Sequence, residues 1–190
     1  MLDTIRDNPV ALMIVASEIG LWVLLAAGLT ARYVLRLRTA GAILLWGIPL
    51  LDVALIVAAA LDLRRGAEPG VVHGLAAIYL GTSVAFGPAI VRWADIRFAH
   101  RFAGGPAPVK PARGSRERAA AAWREWGRVV LAAVIASAAL GLVVVTVTDS
   151  EQAAGLYGWI GRAWTITGLW LLFGPIWEEM AAAGKANQRA

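Results

Sequence analysis

The chain has 190 residues, 59% of them hydrophobic and only 16% charged, with a net charge of +5. Soluble domains are about a quarter charged, so this composition leaves too little polar surface to solvate a globule and points to a membrane protein. No cysteine is present, which excludes disulfides, thiolate metal sites and thiol redox chemistry.

Five apolar stretches follow in chain order, at 9–31, 41–63, 71–92, 128–148 and 155–177. Each approaches the ~20 residues that a helix needs to cross the hydrocarbon. The expected fold is all-α, a single polytopic membrane domain over 1–190 built as a bundle of five transmembrane helices. Asp3 and Asp7 flank Arg6 where a signal peptide would carry a basic region, so the first stretch is expected to stay uncleaved. Under five crossings, 14 lysines and arginines fall on the side of the first connection, the third connection and the tail. Three, Arg6, Arg64 and Arg65, fall opposite, and Arg162 lies within a span. The positive-inside rule then puts the N-terminus outside and the C-terminus in the cytoplasm.

Sliding the chain by 87 positions superposes Gly74, Ala76, Gly81, Phe86, Gly87 and Pro88 on Gly161, Ala163, Gly168, Phe173, Gly174 and Pro175. Leu44, Ile48, Leu55 and Asp62 likewise fall on Leu131, Ile135, Leu142 and Asp149. A two-helix internal repeat, about 42–93 and 129–180, is expected, with its copies parallel in the membrane. Proline removes a backbone donor and crowds the carbonyl one turn earlier. The two Phe-Gly-Pro runs therefore predict kinks, with Gly87, Pro88, Gly174 and Pro175 as shape features or hinges. Ala133, Ser137 and Gly141 form a stripe of small residues suited to close helix contact.

Charges inside the spans carry the functional reading. Counting 1.5 Å per residue places Glu18, Asp52 and Arg162 in one layer. A lone charge there costs at least ~2.5–3.5 kcal/mol, so the three are expected to face inward, with Arg162 bridging two carboxylates. Tyr79, Thr82 and Ser83, with Thr165 and Thr167, add hydroxyls. Two interpretations stand: a proton- or cation-binding site of a small carrier or channel, or an ion network that fixes helix register in a non-catalytic accessory or scaffold subunit of a larger membrane complex.

Enzymatic chemistry is not expected, because no nucleophile elbow, phosphate loop or zinc motif occurs. No cofactor and no metal are expected either: His73 and His100 lie toward opposite ends of one span and cannot share a haem or a metal. Adjacent Glu178 and Glu179 read as a solvated helix end. The basic connection 93–127 holds a Pro/Gly-rich linker, 104–115, between helix continuations that alternate arginine with aromatics: Arg92, Trp93, Arg97 and Phe98 before it, Trp123, Arg124, Trp126 and Arg128 after it. This pattern suits anionic lipid headgroups, with partner docking as the other option, and no nucleic acid is expected. The abundance of tryptophan also fits a homo-oligomer or a larger membrane complex.

From Ser17 to Arg65, about a quarter of the chain, the sequence SEIGLWVLLAAGLTARYVLRLRTAGAILLWGIPLLDVALIVAAALDLRR is similar to bacterial inner-membrane proteins of the YmcC type. The likeness lies in Glu-Ile-Gly in the first helix, Ala-Arg-Tyr after it and Leu-Asp in the second. It implies a small integral membrane protein and carries no activity with it.

Overall fold

A computed structural model describes the backbone of residues 9–102 and 104–187, and the side chains of residues 16, 19–102 and 104–185. Among the described residues the secondary structure is entirely helical. Helix α1 (Pro9–Leu29) runs into a single π turn (Thr30–Val34), and α2 (Arg38–Arg64) and α3 (Val71–Phe102) follow. Helix α4 (Arg116–Val147) and α5 (Ser150–Leu171) come next, and a second π turn (Leu172–Ile176) leads into α6 (Trp177–Asn187). Of these, α2, α3 and α4 are long and apolar enough to cross a membrane.

Local chemistry sets the ends. The linker 104–115 is non-helical, and Ser115 starts α4 by accepting from the Arg118 amide at 3.2 Å. Asp149 starts α5 with a capping box, its carboxylate accepting from the Glu151 and Gln152 amides while the Gln152 side chain accepts from the Asp149 amide. After the first π turn, Arg36 adopts φ 58°, a left-handed conformation that strains a non-glycine residue and breaks the chain between α1 and α2.

Successive helices pack as antiparallel neighbours, α1 on α2, α2 on α3, α3 on α4 and α4 on α5. Small residues let them approach. A Cβ on Gly81 would stand 2.3 Å from the Ala132 carbonyl oxygen, and one on Gly41 would stand 2.7 Å from the Gly28 carbonyl oxygen. Such contacts are how membrane helices gain van der Waals energy, since burial from lipid offers no hydrophobic gain. Leu63, Ala77, Ala136, Leu140, Val143 and Leu156 form the core toward the end opposite the basic linker. On the outer face of α2, Ile43, Trp46, Leu50, Val53, Val57 and Leu61 are all exposed. That spacing is one helical stripe, far too apolar for water and suited to lipid.

The two hairpins that align by sequence differ in detail. The α2–α3 connection spans 65–70, whereas α4 and α5 are joined by 148–149 alone. Pro88 lies in an unbroken α-helix, while the buried Pro175 sits in the second π turn. The α-helical hydrogen-bond pattern continues through Pro88 and changes at Pro175. There the widened turn relieves the clash between the proline ring and the carbonyl behind it. In the small-residue stripe of α4, Ala133 is buried and Ser137 accepts from Trp164 Nε1 at 3.1 Å. Gly141 faces open space, and it is the Ala132 carbonyl of α4 that stands close against Gly81 of α3.

Candidate functional site

Asp52 stands at mid-length of α2, on the buried side opposite the apolar stripe, and is 3% exposed. Its Oδ2 has no hydrogen-bond partner among the described residues. Ser83 on α3 is within interaction reach of the carboxyl, and its hydroxyl also donates to the Leu80 carbonyl at 3.1 Å. The structure therefore brings Asp52 and Ser83 together.

The remaining members of the expected layer are placed otherwise. Glu18 has its side chain outside the described residues. Arg162 is exposed on α5 with its guanidinium 4.7 Å over the ring of its own Trp159, and no Asp52–Arg162 ion pair exists among the described residues. The Asp52 half of the expected bridge is thus absent among the described residues, and the Glu18 half lies outside them. Thr82 is exposed and donates to the Ile78 and Tyr79 carbonyls, at 2.9 and 3.0 Å. Thr165 and Thr167 donate to Gly161 and Ala163 at 2.9 Å each, so these hydroxyls serve their own helices. Tyr79 is 37% exposed on α3. Gly87 has open space where a side chain would be, and Gly174 faces Trp170.

Two polar clusters lie at the helix ends. At the basic end, Arg32 in the first π turn donates from Nε and Nη2 to Asp95 Oδ1 and Oδ2, at 2.9 and 2.8 Å. Tyr33 OH donates to Asp95 Oδ1 at 2.8 Å, and its ring stacks on Phe98 with centroids 4.4 Å apart. Asp95 lies one turn beyond the 71–92 stretch. The Arg32 guanidinium bonded to it holds its carboxyl below the usual carboxylate range, and burial first, then the Asp95 hydrogen bond, pushes the Tyr33 phenol up to about 12. The Ala-Arg-Tyr run is therefore a clamp between α1 and α3. Asp95 escaped the sequence reading, although it is the one acid among Arg92, Arg97 and Arg101.

At the opposite end, buried His73 accepts from the Gly70 amide at Nδ1, 3.1 Å, and its Nε2 lies 3.5 Å from Asp62 Oδ2. That separation is an ion-pair distance rather than an aligned hydrogen bond. Beside it lies a cavity of about 10 Å³, lined by Leu63, Leu140 and Leu156 as well as His73, with room for one water. Gln152 Nε2 donates to the Leu63 and Ala67 carbonyls at 3.0 and 2.8 Å, capping the C-terminus of α2 from α5. No group of three or more His, Asp or Glu side chains suited to a metal occurs among the described residues.

Of the acidic pair on α6, Glu178 departs from the expected solvated helix end. Glu178 accepts from Arg118 Nε at 2.7 Å with its side chain only 17% exposed, and Glu179 accepts from Trp123 Nε1 at 3.2 Å. Glu178 is thus held in an ion pair on the first turn of α4, while Glu179, also bonded to α4, stays exposed at the helix end. Lys185 adds a bond to the Arg113 carbonyl, and Trp126 Nε1 donates to the Thr167 carbonyl at 3.1 Å. Arg97 stacks 3.8 Å over Trp93.

No family model matches the chain, and no solved structure matches it. It is similar to a Bacillus subtilis (strain 168) protein described as "Uncharacterized membrane protein YmcC", 36% identical over 160 residues that cover 84% of this chain and 85% of the relative. That likeness extends well beyond the Ser17–Arg65 run, and with the lipid-facing stripe of α2 and three helices able to cross a bilayer it leads to one conclusion. The chain belongs to the YmcC family of membrane proteins.

Proposed function

We propose that this chain is a five-span membrane protein in which Asp52 binds a proton or a monovalent cation, as the working site of a small carrier or channel. The observation that carries the reading is the buried carboxylate oxygen of Asp52, unpartnered among the described residues at the middle of a membrane-length helix. An isolated carboxylate in such surroundings must take up a proton or a counter-ion, and intramembrane acids of this kind mark ion pathways. Ser83 supplies a neighbouring oxygen. The distribution of 14 basic residues against three supports an N-terminus outside and a C-terminus in the cytoplasm of the bacterial inner membrane. Parallel descent of 42–93 and 129–180 from one hairpin fits the shared Phe-Gly-Pro, with the unlike turns as later divergence.

Proton and potassium flux into liposomes tests this. The parent should exceed empty liposomes, Asp52→Asn should fall to their level while still eluting as a folded species, and Arg162→Gln should keep parental flux. Parent flux at the empty-liposome level, or undiminished flux in Asp52→Asn, would overturn it. A second reading, a non-catalytic accessory subunit, is favoured by the exposed aromatics Trp164, Trp170, Phe173 and Trp177 on α5 and its extension. Site-specific crosslinking from Trp177 to another membrane protein in cells would support it.

A further inference from the structure

The outward face of α5 is built unlike a lipid face. Opposite its buried Leu156 and Thr167 lie Gly158, Gly161, Arg162, Thr165 and Gly168, all exposed and within one arc about 120° wide. A Cβ on Gly161 or Gly168 would meet nothing within 4 Å. The outer stripe of α2, by contrast, consists of large apolar side chains. Glycines and a threonine in one row let the backbone of another helix come close.

Arg162 stands in the middle of this face, and neighbouring contacts fix its depth. The bond from Gln152 Nε2 to the Leu63 carbonyl, 3.0 Å, sets the start of α5 level with the end of the α2 apolar run. A Cβ on Gly158 would stand 3.9 Å from Arg162 Nη1, so the guanidinium lies at the Gly158 level. That is six residues further along α5 than Gln152, roughly 9 Å. Half of the hydrocarbon is ~15 Å thick, so the charge falls inside one leaflet. Its stack on Trp159 supplies no counter-charge, and no carboxylate lies within ion-pair distance of it among the described residues. A cation exposed at that depth requires an anion from outside the bundle.

We propose that this face docks a transmembrane helix of a different membrane protein, one that carries a carboxylate in the same leaflet. Charge selects the occupant. A lipid phosphate belongs to the headgroup layer, and pairing α5 with α5 of a second copy would set one Arg162 against the other. The carboxylate meets the guanidinium beside Gly158, while the small residues admit the partner backbone along 158–168. The inference rests on the accessory-subunit reading, to which it gives a partner of stated chemistry, and on α5 crossing the bilayer.

The test is energy transfer in liposomes between the protein, dye-labelled at Glu151→Cys, and a synthetic leucine–alanine transmembrane peptide with a single glutamate in its apolar run. The parent should bind this peptide about tenfold more tightly than the same peptide with leucine in place of the glutamate, the scale of one interhelical polar contact. Arg162→Gln should abolish that difference, Arg162→Lys should keep part of it, and Gly161→Leu should weaken binding by closing the approach. Arg162→Glu should prefer a lysine peptide, a reversal that a structural role would not produce; if that variant fails to fold, Arg162→Gln decides alone. Equal binding of both peptides by the parent, or an undiminished difference in Arg162→Gln, overturns the docking face. Self-association of the parent that Arg162→Gln dissolves overturns the choice of a different chain in favour of a second copy. Crosslinks from Trp177 report on the accessory reading independently, so their presence beside a peptide result that ignores Arg162 would sink this face alone. Impermeant maleimide on single cysteines at Glu151→Cys and Ala183→Cys scores topology, and labelling of both from the same side overturns the crossing of α5 and the docking face with it.

Discussion

Removing the Asp95 carboxylate tests the clamp between α1 and α3. Three hydrogen bonds end on it, two from Arg32 at 2.9 and 2.8 Å and one from Tyr33 at 2.8 Å. Side-chain exposures of 19% for Arg32 and 38% for Asp95 put the pair between two limits. An exposed ion pair contributes about 0–1 kcal/mol and breaking a buried one costs about 3–5 kcal/mol. Asp95→Ala should therefore destabilise the protein by about 2 kcal/mol, and Arg32→Ala by about 1–2 kcal/mol. Because the two substitutions delete the same bonds, the double variant should fall short of their sum by about 1 kcal/mol. Equilibrium unfolding of the micellar protein, followed by tryptophan fluorescence, measures all four corners of the cycle. The pH dependence has a fixed sign. Asp95 has a depressed folded-state pKa, so its contribution is complete above the ordinary carboxylate value near ~3.9 and is lost as the pH falls through the depressed one. Tyr33 behaves in the opposite sense: raised to about 12, it stabilises below the ordinary phenol value and that contribution disappears as the pH rises through its folded one. The gap between parent and Asp95→Ala should thus be flat from neutral pH to about 5 and close in stronger acid. Additive single effects, each below about 0.5 kcal/mol, would refute the clamp.

Gly81→Val should push α3 from α4, since even its Cβ would meet the Ala132 carbonyl at 2.3 Å, and should cost about 1–3 kcal/mol or prevent folding. The same change at Gly168, its counterpart in the sequence repeat, meets open space and should be tolerated, and thermal melts of both variants separate these outcomes. Gln152→Leu removes both bonds that cap α2 and should lower stability by about 1–2 kcal/mol, while Asp149→Ala should cost about 1 kcal/mol through the lost cap of α5. Arg162→Gln should change stability by at most about 1 kcal/mol, because it loses only an exposed stack on Trp159. A larger loss in the same melts would place Arg162 in an ion network.

Hydropathy made the helices and the 104–115 linker legible, because a spanning segment must satisfy its backbone internally and leaves a long apolar run. Asp52 was legible as an inward residue for the same reason. Arg162 was misjudged because residue counting gives depth and not azimuth. Five residues separate it from buried Thr167, which is about 140° around the helix, so equal depth put it on the wrong face for Asp52. The clamp partner Asp95 was hidden by its setting in a basic flank that reads as solvated. The first π turn has neither proline nor glycine to announce it, whereas Pro175 gave the second a mechanism. The docking of α6 on α4 was invisible because two glutamates set it through contacts 56 and 60 residues distant.

The second π turn also fixes the angular phase between two successive parts of one continuous rod. A π turn accommodates one residue more than the α-helical repeat allows, and one residue corresponds to about 100° of rotation. Upstream of it, α5 presents buried Thr167 to the bundle; downstream, α6 presents Glu178 to Arg118. Losing a single residue between 172 and 176 would close the wide turn to an α-helical one and leave Glu178 facing its arginine, but it would restore the clash of the Pro175 ring with the carbonyl behind it. A one-residue deletion within the α-helical part of α5 has no such slack and turns every later contact by about 100°, so the π turn is where the rod absorbs a change of length with its two faces kept in phase.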